Sequence, residues 1–286
     1  MNKLNTVKIL DTNVTTDSEN KILEYIITGL KTNGRKLKIF TPNSEIAVFA
    51  SKHPSFKSIL NSADVSLPDG YWFEKGGQFL GKRLQGRIAG VDFMQKLCRT
   101  CAKEGLPIGL FGGQDNVAEK AAECLVDLYP GIDIIFIGEK WERRGFERAE
   151  ELQPANYDLE ESKNKDLRTK KTKSKDPNTQ SFIKSTVESN LTKSGGVLFV
   201  ALGSPKQEEW IYENIDKVPF QAAMGVGGAF DYISGKVTRA PYFLQAAGFE
   251  WLYRLIKQPW RFKRQLSLLE FVVKILKERV SPTSRN

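Results

Sequence analysis

Two carboxylates and one strand-to-helix turn carry most of the chemistry that this chain's residue types allow. Asp69 stands between Pro68 and Gly70, and Asp231 closes the run Gly225-Val226-Gly227-Gly228-Ala229-Phe230. Each sits just past an apolar run that reads as a strand, a place from which a carboxylate can take a proton from a bound group. Each also suits a plain turn or helix cap. The third feature is VLFVALGSPKQEEW, residues 197–210. Its first six residues are apolar throughout, the pattern of a strand buried on both faces. Gly203 ends the run, Ser204 can act as N-cap, Pro205 suits the first helical position, and Gln207 falls where a capping box places Glu or Gln. The spacing predicts helix N–H groups facing outward beside Lys206, an arrangement that binds anions. An ordinary strand-to-helix connection shows the same local pattern.

Other chemistries find little support. The single histidine, His53, precedes Pro54 and reads as a helix cap, so no Ser/His/Asp or Cys/His arrangement is available. Cys98 and Cys101 form a C-x-x-C inside a helical pattern, and Cys124 stands alone. That leaves neither a disulfide framework nor a metal-binding set, and no metal or cofactor is expected.

The elements that must position these residues alternate along the chain. Stretches at 7–10, 37–40, 64–67, 107–111, 132–137, 197–202 and 220–224 read as strands. Helical patterns lie at 18–31, from Ser44 onward, at 91–104, 115–129 and 181–193, and from Pro241 to Pro259, with a last one at 262–280. Gly76-Gly77, Gly81, Gly86 and Gly90 punctuate a section that reads as loop and short helix. Residues 155–180 hold six Lys, one Arg and five acidic residues with little apolar content, and read as a flexible surface insertion. Helices alternating with continuous apolar strands make an α/β fold, a Rossmann-like parallel sheet with helices on both faces. Its strands end on Thr41–Asn43, Asp69-Gly70, Gly112-Gly113, Gly203–Gln207 and Gly225–Asp231. In an open parallel sheet those ends share one edge, where nucleotides and phosphates bind.

At 286 residues the chain has ample material for a core, and it carries a net charge of +9. No run approaches the roughly 18 apolar residues of a membrane span. The first residues lack the pattern of a signal peptide, so a cytoplasmic protein with peripheral membrane contact is expected. From Arg254 to the end, nine Lys and Arg stand against Glu270 and Glu278, and the preceding 253 residues are close to neutral. This divides the chain into an α/β body, 1–253, and a basic amphipathic helical appendage, 254–286. Such a tail suits membrane phospholipid or nucleic acid. Its charges alternate with Leu266, Leu269, Phe271, Val272, Ile275 and Leu276, which favours the lipid interface and argues against nucleic acid.

Taken together, TPNSE (41–45), ADVSLPDG (63–70), GVDF (90–93), GLFGG (109–113), ALGSPKQEEW (201–210), GVGGAFD (225–231), GKVTRAP (235–241) and FEWLYRL (249–255) resemble the WecG/TagA/CpsF family, glycosyltransferase family 26. The motifs span about residues 6 to 264. The resemblance implies an inverting, metal-independent glycosyltransferase. Its donor would be a UDP-sugar, commonly of N-acetylmannosamine or its uronic acid, and its acceptor a polyprenyl-diphosphate-linked sugar at the inner membrane face. Asp69 matches the general base, Thr41, Asn43 and Gln207 match pocket residues, and Arg254 and Arg261 match basic residues that close over the diphosphate. Gly112, Gly113, Gly203, Ser204, Lys206, Gly227, Asp231 and Arg239 complete the expected substrate-binding set. Where the family usually has small residues after PDG, this chain has Tyr71-Trp72-Phe73. Homo-oligomerisation is left open, and the alternatives are a basic-tailed nucleic-acid-binding protein and a sugar-nucleotide-binding protein without catalysis.

Overall fold

The computed structural model describes residues 3–32, 34–138, 195–257 and 262–280. The insertion expected at 155–180, the helix expected at 181–193 and Arg261 lie outside the described residues. The chain opens with β1 (Thr6–Ile9) and β2 (Thr12–Thr15), then α1 (Glu19–Lys31), β3 (Leu37–Phe40), α2 (Ser44–Lys52), α3 (Pro54–Asn61), β4 (Val65–Ser66), α4 (Tyr71–Phe79) and α5 (Gly90–Glu104). It continues with β5 (Ile108–Gly112), α6 (Val117–Leu128), β6 (Ile134–Gly138), β7 (Val197–Ala201), α7 (Lys206–Asn214) and β8 (Ala222–Gly225). Four helices follow: α8 (Ala229–Ile233), α9 (Tyr242–Ala246), α10 (Glu250–Lys257) and α11 (Phe262–Val280).

Six strands form one parallel sheet in the order β4-β3-β8-β7-β5-β6, with helices on both faces, the Rossmann-like architecture expected. β7 shows why the sheet must be covered twice. Val197 and Phe199 join the core beneath α1, α5 and α6, while Leu198 and Val200 pack toward α2, α3 and α7. Successive side chains of a strand point to opposite faces, so an unbroken apolar run has to be buried on both. Each large apolar side chain so buried contributes about 1.5–3 kcal/mol. α1 starts as its residues dictate: the Ser18 side chain accepts from Lys21 N, and Ile22, Ile26, Ile27 and Leu30 face the core.

Three local expectations change. β2 pairs antiparallel with β1, although Thr-Asn-Val-Thr is too polar to stand out as a strand. The hairpin turn is Leu10-Asp11, both at positive φ, which a two-residue hairpin needs but which usually calls for Asn or Gly. β2 is drawn in by polar contacts, since Thr15 Oγ1 accepts from Ser66 N at 3.0 Å and Ser66 Oγ donates to Asn13 O at 2.6 Å. Second, Gly76 and Gly77 lie inside α4, with the loop only after it. A Cβ on Gly76 would come within 2.7 Å of the Phe271 ring, so this glycine serves close helix approach and not a turn. Third, Asn43, not Ser44, caps α2, its Oδ1 accepting from Ile46 N at 3.0 Å. His53 does lie between two helices, its Nδ1 2.8 Å from Phe49 O.

A third apolar cluster joins Ile9 and Val14 of the hairpin, Ala47 and Val48 of α2, Phe73 of α4, and Phe271 and Ile275 of α11. Phe73, the last of the three bulky residues after PDG, is fully buried here beside Phe271. The C-terminal helix is thereby seated on α2 and α4, which puts its N-terminal half beside the sheet edge.

Candidate active site

The C-terminal ends of β4, β3, β8, β7 and β5 are neighbours in the sheet, and over them opens a cavity of about 830 Å³. That is the size and place of a ligand site in such a fold. Thr41, Asn43, Asp69, Gly113, Gly203, Ser204, Lys206, Gln207, Gly227, Asp231, Arg239 and Arg254 all line it. Gly112 stands one residue back. Its φ is +93°, and a Cβ would lie 2.9 Å from the Ala201 backbone, so glycine alone lets the ends of β5 and β7 pass.

Asp69 is held from two sides by main chain. Its own N–H donates to Pro42 O at 3.0 Å, and its Oδ2 accepts from Gly90 N, the first residue of α5, at 3.3 Å. Removal from bulk water pushes its pKa up to about 6. Arg87 and the Gly90 N–H act against that rise, and the Glu250 carboxylate adds to it. A carboxyl tuned near neutrality and open to a cavity has the properties of a general base. Thr41 ties two strand ends together behind it, Oγ1 donating to Gly225 O at 3.2 Å.

The strand-to-helix turn differs from the expected capping box. α7 begins at Lys206, with Pro205 in the capping position and no side-chain cap bond. Gln207 turns inward, 2% exposed, because both ends of its amide have partners there: Oε1 accepts from Gly227 N and Nε2 donates to Glu208 Oε1, each at 2.9 Å. Glu208 is fully buried, and burial pushes its pKa up to about 7 against the pull of Gln207, its own N–H and Ser204. Gln207 is therefore a strut that fixes the Gly225–Gly228 turn. The first turn of α7, with Lys206, still fronts the cavity.

The remaining wall comes from the C-terminal helices. Glu250, Trp251 and Arg254 of α10 line the cavity, and Ser267 and Leu268 of α11 reach it as well. Arg254 lies inside α10, its guanidinium 5.1 Å over the Tyr232 ring. Its Nε and the Trp251 Nε1 are buried donors without a hydrogen-bond partner. Tyr71 also lines the cavity, and its ring fills the space where a Cβ on Gly248 would sit. Residue reading alone missed Arg87, Glu250, Trp251 and Glu208. Glu250 and Trp251 fall inside the FEWLYRL motif and Glu208 inside PKQEEW, whereas Arg87 sits in a loop with no periodicity to mark it. Among the described residues, no group of three or more His, Cys, Asp or Glu side chains could hold a metal ion.

This geometry meets a matching pattern of relatives. The family described as "Glycosyl transferase WecG/TagA/CpsF family" matches residues 7–159 and 169–285. The chain belongs to the WecG/TagA/CpsF family. It is a glycosyltransferase, and the cavity over the sheet edge is its candidate active site. It is 31% identical over 240 residues to the N-acetylglucosaminyldiphosphoundecaprenol N-acetyl-beta-D-mannosaminyltransferase of Bacillus subtilis, covering 84% of this chain and 79% of the relative. The protein of the same name from Bacillus spizizenii is 30% identical, covering 85% and 80%. The Staphylococcus aureus (strain MW2) protein of that name is 26% identical over 266 residues, covering 91% and 90%. The glycosyltransferase thus shares most of its length with these relatives.

Proposed function

We propose that this glycosyltransferase transfers N-acetylmannosamine, or a related hexosamine or uronic acid, from a UDP-sugar to a polyprenyl-diphosphate-linked sugar, with inversion and without a metal. The observation that carries the reading is Asp69, a carboxylate with a pKa of about 6 facing a cavity whose other walls hold Lys206, Arg87, Arg239 and Arg254. In a single displacement the acceptor hydroxyl oxygen bonds to the anomeric carbon, the bond from that carbon to the UDP oxygen breaks, and the hydroxyl proton passes to Asp69. The departing diphosphate keeps its charge and is met by guanidinium and ammonium groups. The names of the relatives support the lipid-linked acceptor and the N-acetylmannosaminyl donor.

The same reading places the enzyme on the inner face of the membrane that carries its acceptor. Among the described residues no helix is long and apolar enough to cross a membrane. Tyr242, Phe243 and Ile256 of α9 and α10 are 84%, 68% and 70% exposed, and Leu269, Val273, Leu276 and Val280 form an outward stripe on α11. With Lys257, Lys274 and Arg279 nearby in sequence, these surfaces suit an anionic lipid interface. The test is UDP release across a set of UDP-sugars with a short-chain polyprenyl-diphosphate-sugar acceptor, with and without chelator. Turnover with an N-acetylmannosamine donor that survives chelation is expected. Loss of turnover on chelation would remove the metal-independent part.

A further inference from the structure

One ionic chain crosses the cavity wall and ties two of its arginines to α10. Arg87 Nη2 lies 3.3 Å from Glu250 Oε2, and Arg239 Nε lies 3.6 Å from Glu250 Oε1. Arg239 also grips Asp92 in the first turn of α5 through both terminal nitrogens, one of them at 2.9 Å. Glu250 is the first residue of α10, so it links the helix that carries Arg254 to the body at two points. The side chains of Arg87, Arg239 and Glu250 are 18%, 23% and 26% exposed, screened enough from water for their charges to matter.

We propose that Glu250 is a positioning residue, which shares Arg87 with Asp69 and so couples the seating of α10 to the charge state of the base. This rests on the reading of Asp69 as the base of a glycosyl transfer. Among the described residues, the charged groups around Asp69 are Arg87, from the loop before α5, and Glu250, from α10. Around Glu250 stand Arg87 and Arg239, and Arg239 in turn faces Asp92 of α5 and Tyr232 of α8. With Glu250 in place, part of Arg87's charge is neutralised and a second negative charge lies near Asp69. Both effects hold the Asp69 proton more tightly. When α10 lifts, Arg87 is released to Asp69 and the base becomes weaker. The residue that seats the diphosphate-facing arginine thus also sharpens the base.

The test follows the Asp69 carboxyl by ¹³C NMR titration and α10 by amide hydrogen exchange, neither of which needs substrate, alongside the pH profile of kcat/KM. Glu250→Gln, close to isosteric, lowers the Asp69 midpoint on the order of half a unit and speeds exchange over α10. Arg239→Gln leaves Glu250 to Arg87 alone: α10 stays seated by that pair, the Glu250 charge is less neutralised, and the midpoint rises. Opposite shifts from two variants at the same ionic chain are what a merely structural contact would not produce. An unchanged midpoint in folded Glu250→Gln, or shifts of the same sign in both variants, overturns the proposal. A midpoint that moves while the acid limb of kcat/KM stays fixed upholds the Glu250–Arg87–Asp69 coupling and instead removes Asp69 from the role of base.

Discussion

The two halves of the cavity wall are built in different ways. On the sheet side, Asp69 and Gln207 project from strand ends and helix starts, each held by main-chain hydrogen bonds. On the other side, α10 and α11 bring Trp251, Arg254 and Ser267 to the same space. α10 is held there by the ion pairs around Glu250. α11 is held by Phe271 and Ile275 in the third apolar cluster, by the Lys52–Glu270 pair and by polar bonds of Glu278 and Arg279 to main chain. Much of their remaining surface is apolar and open. The proposed base, Asp69, sits on the part that cannot shift without breaking the sheet. Of the cations proposed to meet the diphosphate, Lys206 sits on the sheet side, whereas Arg254 sits on a part whose attachment is local, and local attachments open at lower cost than the core does.

Breaking the sheet side should have the largest effect. Asp69→Asn keeps the fold and lowers turnover by about 10²–10⁴-fold, the range of a lost general base, measured as UDP release under saturating donor. Turnover near the wild-type level would take Asp69 out of the mechanism. On the helical side, Phe271→Ala removes the side chain that packs on Gly76 and Phe73. A loss of about 3–5 kcal/mol is expected for emptying such a site, read by denaturant unfolding. If α11 unfolded on its own in a separate early transition, the cluster would be an attachment and no part of the common core.

A smaller effect sharpens the contrast through pH. The Asp69 pKa is raised from 3.8 to about 6, so the folded state binds this proton more tightly than the unfolded chain does. Stability from that proton is complete below about 4 and is lost as pH rises through about 6. Asp69→Asn should therefore be more stable than the wild type at pH 8, by on the order of 1–3 kcal/mol, with the difference gone at pH 4. Thermal melts across that range check it, and a difference independent of pH would mean that Asp69 is not strained. The smallest stability change belongs to the outward stripe. Leu269→Ser together with Val273→Ser, at positions 67% and 49% exposed, should move stability by less than about 0.5 kcal/mol each. The same pair should weaken binding to anionic liposomes several-fold, and unchanged flotation would move the membrane contact elsewhere.

Much of this was legible in the residues themselves. The apolar runs of β5 and β7 read as strands covered on both faces and are so, and α11 spans the residues its pattern marks, Phe262–Val280. Asp69 and the glycine-rich strand ends stood out because polar residues directly after buried strands collect at one edge of a parallel sheet. Their number could be read, but their neighbours could not. Strand order decided that β4 and β5, far from adjacent in the sheet, bracket one cavity with Arg87 and Glu250 on its wall. Tertiary contacts also decided which of two local uses each polar residue serves. Asn43 became a cap, Gln207 left its capping box for Gly227, and Gly76 became a seat for Phe271. Local sequence sets the menu of conformations through sterics and periodicity. The choice among them depends on burial and hydrogen-bond partners that arrive from 20 to nearly 200 residues away, as Gly227 does for Gln207 and Phe271 for Gly76.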